Sequence, residues 1–223
     1  MQKKLLLRIA SAASGTLGLG ILVYALFPIF SYEYIAARDY PQLLNPVVEK
    51  KGEPLGTVLA ESDFTKASNW FPGAKKKEDF EESKVSFYTI SIPKLKVENA
   101  TVAIGGEDLS KSLIQFPGTA NPGRPGNTVI FGHSILPQFY NPKDYLAIFS
   151  TLPSLKKGDE ITINYDGITY RYKVETLFEV LPTDLEVLEQ GFSDSYISLV
   201  TCVPPGHPLK PRRLIVRAKI VPF

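Results

Sequence analysis

The pattern of polar and apolar positions divides the chain into an apolar segment, a mixed segment and an alternating one. From Ile9 to Phe30 no residue is charged, a run of 22 positions reading IASAASGTLGLGILVYALFPIF. As a helix rising 1.5 Å per residue it is roughly 33 Å long, enough to cross a hydrocarbon core of about 30 Å. The run has no polar face, which argues against a helix lying on a soluble core. Lys3, Lys4 and Arg8 precede it, while Glu33, Arg38 and Asp39 behind it nearly cancel. That asymmetry places the N-terminus in the cytoplasm and the bulk of the chain outside. A cleaved signal peptide has an apolar stretch of about 7–15 residues and a small-residue cleavage site. Phe27-Pro28-Ile29-Phe30-Ser31-Tyr32 offers no such site. The expected element is one uncleaved N-terminal transmembrane helix over 9–30, behind a short cytoplasmic segment, 1–8.

Residues 31–83 mix four prolines with the charged tract Lys75-Lys76-Lys77-Glu78-Asp79 and show weak periodicity. They read as a partly ordered extracytoplasmic stalk, with room for a short helix at Asp63 to Trp70. From about Lys84 the pattern becomes that of strands. Val85 to Ile92 is β-branched and aromatic and ends at Pro93. Leu95 to Ala103, Asn127 to Gly132, Glu160 to Tyr165, Ile168 to Val180, Ser195 to Cys202 and Arg213 to Val221 follow. Asp166-Gly167 marks a hairpin between two of them. Only Lys143 to Ser154 looks helical. Seven or eight strands at short spacing predict an all-β barrel or sandwich over 84–223.

Composition narrows the function. The 223 residues carry 25 Lys plus Arg against 23 Asp plus Glu, a net charge of +2. So balanced a chain has no electrostatic footprint for nucleic acid. Its one cysteine, Cys202, excludes an intramolecular disulfide and a redox pair. With two histidines, His133 and His207, and no ligand spacing, no metal site is expected. The Pro/Gly-rich stretch FPGTANPGRPGN carries neither nucleotide-binding glycine pattern.

Cys202 and His133 each stand at the end of an apolar strand, where catalytic groups become exposed. A thiol beside an imidazole is an activated nucleophile. An arginine keeps its charge when buried and suits a developing oxyanion, and Arg212, Arg213 and Arg217 lie on the strand after the Cys202 loop. Spacing alone leaves an alternative, in which Cys202 is an inert, buried small hydrophobe in a membrane-tethered binding domain. His207, between Gly206 and Pro208, reads as a solvated loop residue.

Ser198-Leu199-Val200-Thr201-Cys202, with Arg213 eleven positions on in Arg213-Leu214-Ile215-Val216-Arg217, resembles the sortase signature. Asn127 to Ser134 is similar to the strand that delivers the sortase histidine, and Ile92-Pro93-Lys94-Leu95 and Phe149 to Ile161 also match. The resemblance covers about 84–221. It implies an eight-stranded β-barrel with one or two short helices, in which Cys202 is the nucleophile, His133 the acid/base and Arg213 the oxyanion stabiliser. Thr201 and Ser198 would support the substrate or the site. It implies a single-pass plasma-membrane cysteine transpeptidase on the bacterial cell surface, with no cofactor. Its partners would be secreted proteins bearing a C-terminal, LPxTG-like sorting signal, and an amine of the cell envelope. A cysteine protease using the same residues is the hydrolytic alternative. Ser198 stands where the family has Thr. No Asp-Pro-aromatic lid motif precedes the domain, although Asp63-Phe64 and Asn69-Trp70 are present, and no second membrane segment follows. Both features argue against the pilus-polymerising type. Glu107 and Asp108 are too few acidic residues for a calcium site.

Overall fold

A computed structural model describes residues 2–40, 63–71, 74, 86–191 and 193–222. Helix α1 spans Gln2–Asp39. The strands are β1 (Phe87–Ile92), β2 (Val97–Ile104), β3 (Leu113–Gln115), β4 (Gly126–Phe131), β5 (Glu160–Tyr165), β6 (Ile168–Val180), β7 (Ser195–Val203) and β8 (Arg212–Val221). They close into a barrel in the order β1-β2-β3-β4-β7-β8-β6-β5. The β5–β6 hairpin turns at Asp166 and Gly167, both at positive φ, as a tight two-residue turn requires.

Most neighbours are antiparallel, but β4 and β7 run parallel, with Phe131 beside Val200. The strands between them in sequence occupy the other side of the barrel. Alternation along each strand creates two apolar layers. Ile90, Ile92, Ile130, Ile161, Tyr172, Leu199, Leu214 and Val216 belong to the larger core. Val129, Phe131, Val200, Cys202 and Ile215 face the other way and form a second cluster with Phe64, Trp70 and Phe71. This second layer holds the candidate site. Phe131 stacks on Trp70 at 5.2 Å between ring centroids and also meets Phe71 and Phe116. Deleting so central a ring costs about 3–5 kcal/mol.

The structure departs from the expected elements in a few places. Residues 143–154 form turns with one 3₁₀ turn, Leu152–Ser154, and no α-helix. Pro142 and Pro153 bracket the stretch, and side-chain acceptors compete for its amides. Lys143 N–H donates to Asn141 Oδ1, and Leu146 N–H to Asp144 Oδ1. The short helix expected at Asp63 to Trp70 is a single 3₁₀ turn, Ala67–Asn69. Strand β3 escaped the sequence pattern because its three residues are all buried and do not alternate. Of the segment read as a stalk, residues 31–39 continue α1 and residues 63–71 pack on the barrel, while the Lys75 to Asp79 tract lies outside the described residues.

Candidate active site

Because β4 and β7 are parallel, both finish at the same end of the barrel. Extending the Phe131–Val200 register by two positions sets His133 opposite Cys202. On the other flank β8 is antiparallel to β7, with Cys202 opposite Arg213. Strands are spaced about 4.8 Å apart, so three residues far apart in sequence share one row.

Hydrogen bonds fix the row. Thr201 Oγ1 donates to the Gly132 carbonyl at 2.8 Å, and Ser134 Oγ donates to the Cys202 carbonyl at 2.6 Å. These two hydroxyls tie the ends of β4 and β7 on either side of the His133–Cys202 pair, each contributing about 1 kcal/mol. Gly132 permits the approach, since a Cβ there would stand 2.4 Å from Phe149 Cδ2 and 2.6 Å from Leu113 Cδ2. Thr201 therefore has a structural partner within the site. Ser198 lies farther back, opposite Arg217. Its hydroxyl donates to Asn127 Oδ1 at 2.8 Å and accepts from Arg217 Nε at 3.3 Å, so it serves the β4–β7 core. His207 sits in the loop after β7, its Nδ1 accepting from Leu209 N–H at 3.2 Å. The structure does not bring it to the row.

Arg213 is fully buried. Its Nη1 donates to the carbonyls of Lys210 (2.8 Å) and Arg212 (3.2 Å). Nε and Nη2 have no hydrogen-bond partner among the described residues. Burial pushes its pKa down, and the adjacent Cys202 opposes that shift. A guanidinium survives such burial as a cation. Its anchored edge leaves two donors for a ligand. His133 is 4% exposed, and its Nε2 has no partner among the described residues. Burial, assisted by the charge of Lys210, pushes its pKa down to about 4, against the weaker pull of Asp63 and Asp108.

Sequence reasoning noted Phe64 and Trp70 without assigning them a role in the site. They form its cover. Trp70 is fully buried, lies 5.7 Å from the His133 ring and donates its Nε1–H to the Phe64 carbonyl. The Arg213 guanidinium carbon is 5.2 Å from the Phe64 ring and 5.6 Å from Trp70. The segment is stitched to the loop after β2 by Ala67 N–H to the Glu107 carbonyl and Leu109 N–H to the Thr65 carbonyl. Cys202, 1% exposed, lies beneath it. The available signal was the chain's sole tryptophan inside a polar segment.

Two results are expected. Trp70→Ala removes packing worth about 3–5 kcal/mol, and even 1.4 kcal/mol changes an open-to-closed ratio tenfold. Cys202 alkylation in the folded protein should therefore accelerate by about tenfold or more, whereas an unchanged rate would mean that the cover is not what shields the thiol. The second concerns acid. The closed site holds His133 neutral, with a pKa below its ordinary 6.5, so it binds fewer protons than the open state. Closure is then weakened as pH falls through the window from about 6.5 to 4, by on the order of 3 kcal/mol at its acid end. Trp70, the only indole, should report this as an emission red shift across the window, and the shift should vanish in His133→Gln.

Among the described residues no group of three or more His, Cys, Asp or Glu side chains could hold a metal ion.

Comparison with known proteins agrees with the fold. A family model described as the sortase domain matches residues 90–221. Sortase A of Bacillus anthracis is 32% identical over 117 residues, covering 51% of this chain and 50% of that protein. The chain thus aligns with about half the length of that curated relative. A sortase D5 transpeptidase of Clostridium perfringens superposes with a TM-score of 0.52 at 28% identity, covering 61% of this chain and 79% of that one. A lid mutant of sortase A from Corynebacterium diphtheriae gives 0.54 at 27% identity, covering 76% and 94%. With the eight-stranded barrel and a family match over more than half of its length, the chain belongs to the sortase family.

Proposed function

We propose that this chain is a membrane-anchored cysteine transpeptidase acting on secreted proteins that carry a C-terminal, LPxTG-like sorting signal. The observation that carries the reading is the single row of His133, Cys202 and Arg213 at the end of the parallel β4–β7 pair. The Cys202 thiol passes its proton to His133 as its sulfur attacks a backbone carbonyl carbon of the signal. The oxyanion that forms is met by the two unengaged donors of Arg213. His133 gives a proton to the departing amine, the C–N bond breaks, and a thioester remains on Cys202. An amine of the cell envelope then attacks the thioester, His133 accepts its proton, the C–S bond breaks, and His133 returns the proton to the departing sulfur, which regenerates the thiol.

Water is the competing acceptor, and a cover that shields the site limits hydrolysis between the two halves of the reaction. Phe64 and Trp70 must move for peptide to enter. Helix α1, uncharged and exposed along Ile9 to Val23, supplies the anchor. Lys3, Lys4 and Arg8 set its N-terminus in the cytoplasm and the barrel outside.

The test is product analysis. The full chain, reconstituted in vesicles, is incubated with peptides ending in sorting-signal sequences, with and without an added amine. Mass spectrometry should show peptide cleaved at one bond and, with amine present, product shifted to the amine adduct. Hydrolysis that ignores the amine would make the protein a thiol peptidase. No cleavage and no thioester would leave a tethered binding domain.

A further inference from the structure

Helix α1 does not stop where its apolar run ends. It continues to Asp39, and a stripe of it turns toward the barrel. Ala25, Pro28 and Ile29 are half-buried, and Tyr32 and Ala36 are buried within the barrel core cluster. The spacing is that of one helix face. Polar contacts lock it. Tyr32 OH donates to Glu179 Oε1 at 2.5 Å, and Tyr40 OH to the Pro153 carbonyl at 2.7 Å. Arg212 Nη2 donates to both Glu33 oxygens at 2.6 Å, and its Nε stands 3.1 Å from Glu179 Oε2, an ion pair outside hydrogen-bond geometry. The barrel therefore sits at a set level along the helix.

That level has a consequence. The loop after His133 lies beside the apolar run itself, where Pro137 and Gln138 line a groove with Gly20, Tyr24 and Phe27. A bilayer reaching Phe30 would engulf this loop and press on the Glu33–Arg212–Glu179 cluster. A span from Leu5 to Tyr24 is also sufficient, roughly 30 Å of helix, with Arg8, one turn in from its cytoplasmic end, snorkelling to the headgroups. It places Tyr24 in the interface, where tyrosine is enriched. Ala25, Pro28 and Ile29 then belong to the join with the barrel, and the exposed Leu26, Phe27 and Phe30 lie within the headgroup layer. Phe139, next along the loop, is 62% exposed, while Tyr140 ties the loop to the barrel through the Leu95 carbonyl.

We propose that the loop Leu136–Tyr140 is a membrane-contact surface that rests in the phospholipid headgroup layer of the outer leaflet, with Phe139 entering it. This rests on the reading of α1 as the anchor. It sets the mouth of the site at the bilayer surface, since His133 is only four residues from Pro137.

The experiment is spin-label accessibility in phospholipid vesicles. Cys202→Ala leaves the full chain without cysteine. Single cysteines are then introduced by Leu17→Cys in mid-helix, Phe139→Cys in the loop and Ile168→Cys at the β5–β6 turn. Ile168 opens β6, whose far end carries Glu179, so it lies roughly 36 Å from the α1 contact. Collision with oxygen reports lipid, and collision with a water-soluble nickel chelate reports solvent. The expected result is a lipid signal at 17, a water signal at 168, and an oxygen-to-nickel ratio at 139 severalfold above that at 168. A lipid signal at 17 with 139 as wet as 168 would overturn the membrane-contact surface and leave the anchor intact. A label at 139 shielded from both reagents would mean protein, a second copy included, covers the loop, and would overturn it equally. A wet label at 17 would sink the anchor reading and the proposal together.

Discussion

Cys202→Ala is expected to abolish the acyl-enzyme and to lower turnover by on the order of 10⁵–10⁶, the scale seen when a covalent nucleophile is removed. Mass spectrometry of the protein trapped with a sorting-signal peptide is the direct measurement, since a thioester adds the acyl fragment to Cys202 alone. The size of the effect follows from the mechanism. Without sulfur no covalent intermediate divides the reaction, and His133 and Arg213 are left to assist a water or amine that must attack the amide unaided. The fold should survive, because removing one buried sulfur from a well-packed strand costs only about 1 kcal/mol. A variant retaining activity within tenfold of the parent would show that Cys202 is not the nucleophile. The buried, inert thiol considered at the outset would then be the better description.

Arg213→Lys should lower kcat by about 10²–10³ while changing KM little, the range for loss of one oxyanion donor. The charge is nominally kept, so the loss isolates geometry. One edge of the guanidinium is spent on the Lys210 and Arg212 carbonyls and its faces on Phe64 and Trp70, which leaves Nε and Nη2 directed elsewhere. A single ammonium cannot hold those carbonyls and also present a second, separate donor. It also yields its proton more readily when desolvated. Steady-state kinetics with peptide and amine both saturating would separate kcat from KM. Activity within threefold of the parent would mean that positive charge alone suffices at this position.

These two substitutions probe the row, whereas Trp70→Ala and the acid shift of Trp70 emission probe its cover. The two layers are physically distinct. The row rests on strand pairing, which needs the whole barrel, and the cover rests on a few aromatic contacts and backbone bonds to one loop. Segments held in that way open with far less free energy than core strands. A site that is shut in the resting chain can therefore open to peptide without disturbing the alignment of Cys202 and Arg213.

What the sequence determined by itself was whatever depends on local pattern. The apolar run of α1, the Asp166-Gly167 turn and most strand limits follow from periodicities of 3.6 and 2, which neighbours in sequence impose directly. His133, Cys202 and Arg213 were legible as candidates from their positions at strand ends and from the resemblance around them. The false helix at Lys143 to Ser154 shows the limit, because its pattern was overridden by turns closed through Asn141, Asp144 and the strand-end contact of Phe149 N–H with the His133 carbonyl. Only the tertiary structure decided that β4 lies parallel to β7, which sets His133 opposite Cys202 across 69 positions of sequence. Strand pairing is chosen by closure of the barrel and by burial on both faces, and no local window contains that information. The same holds for Trp70 over His133 and for Tyr32 against Glu179, whose partners lie 63 and 147 positions away. Such contacts form because folded surfaces leave apolar rings and buried charges to be satisfied, and which segment satisfies them is settled in three dimensions.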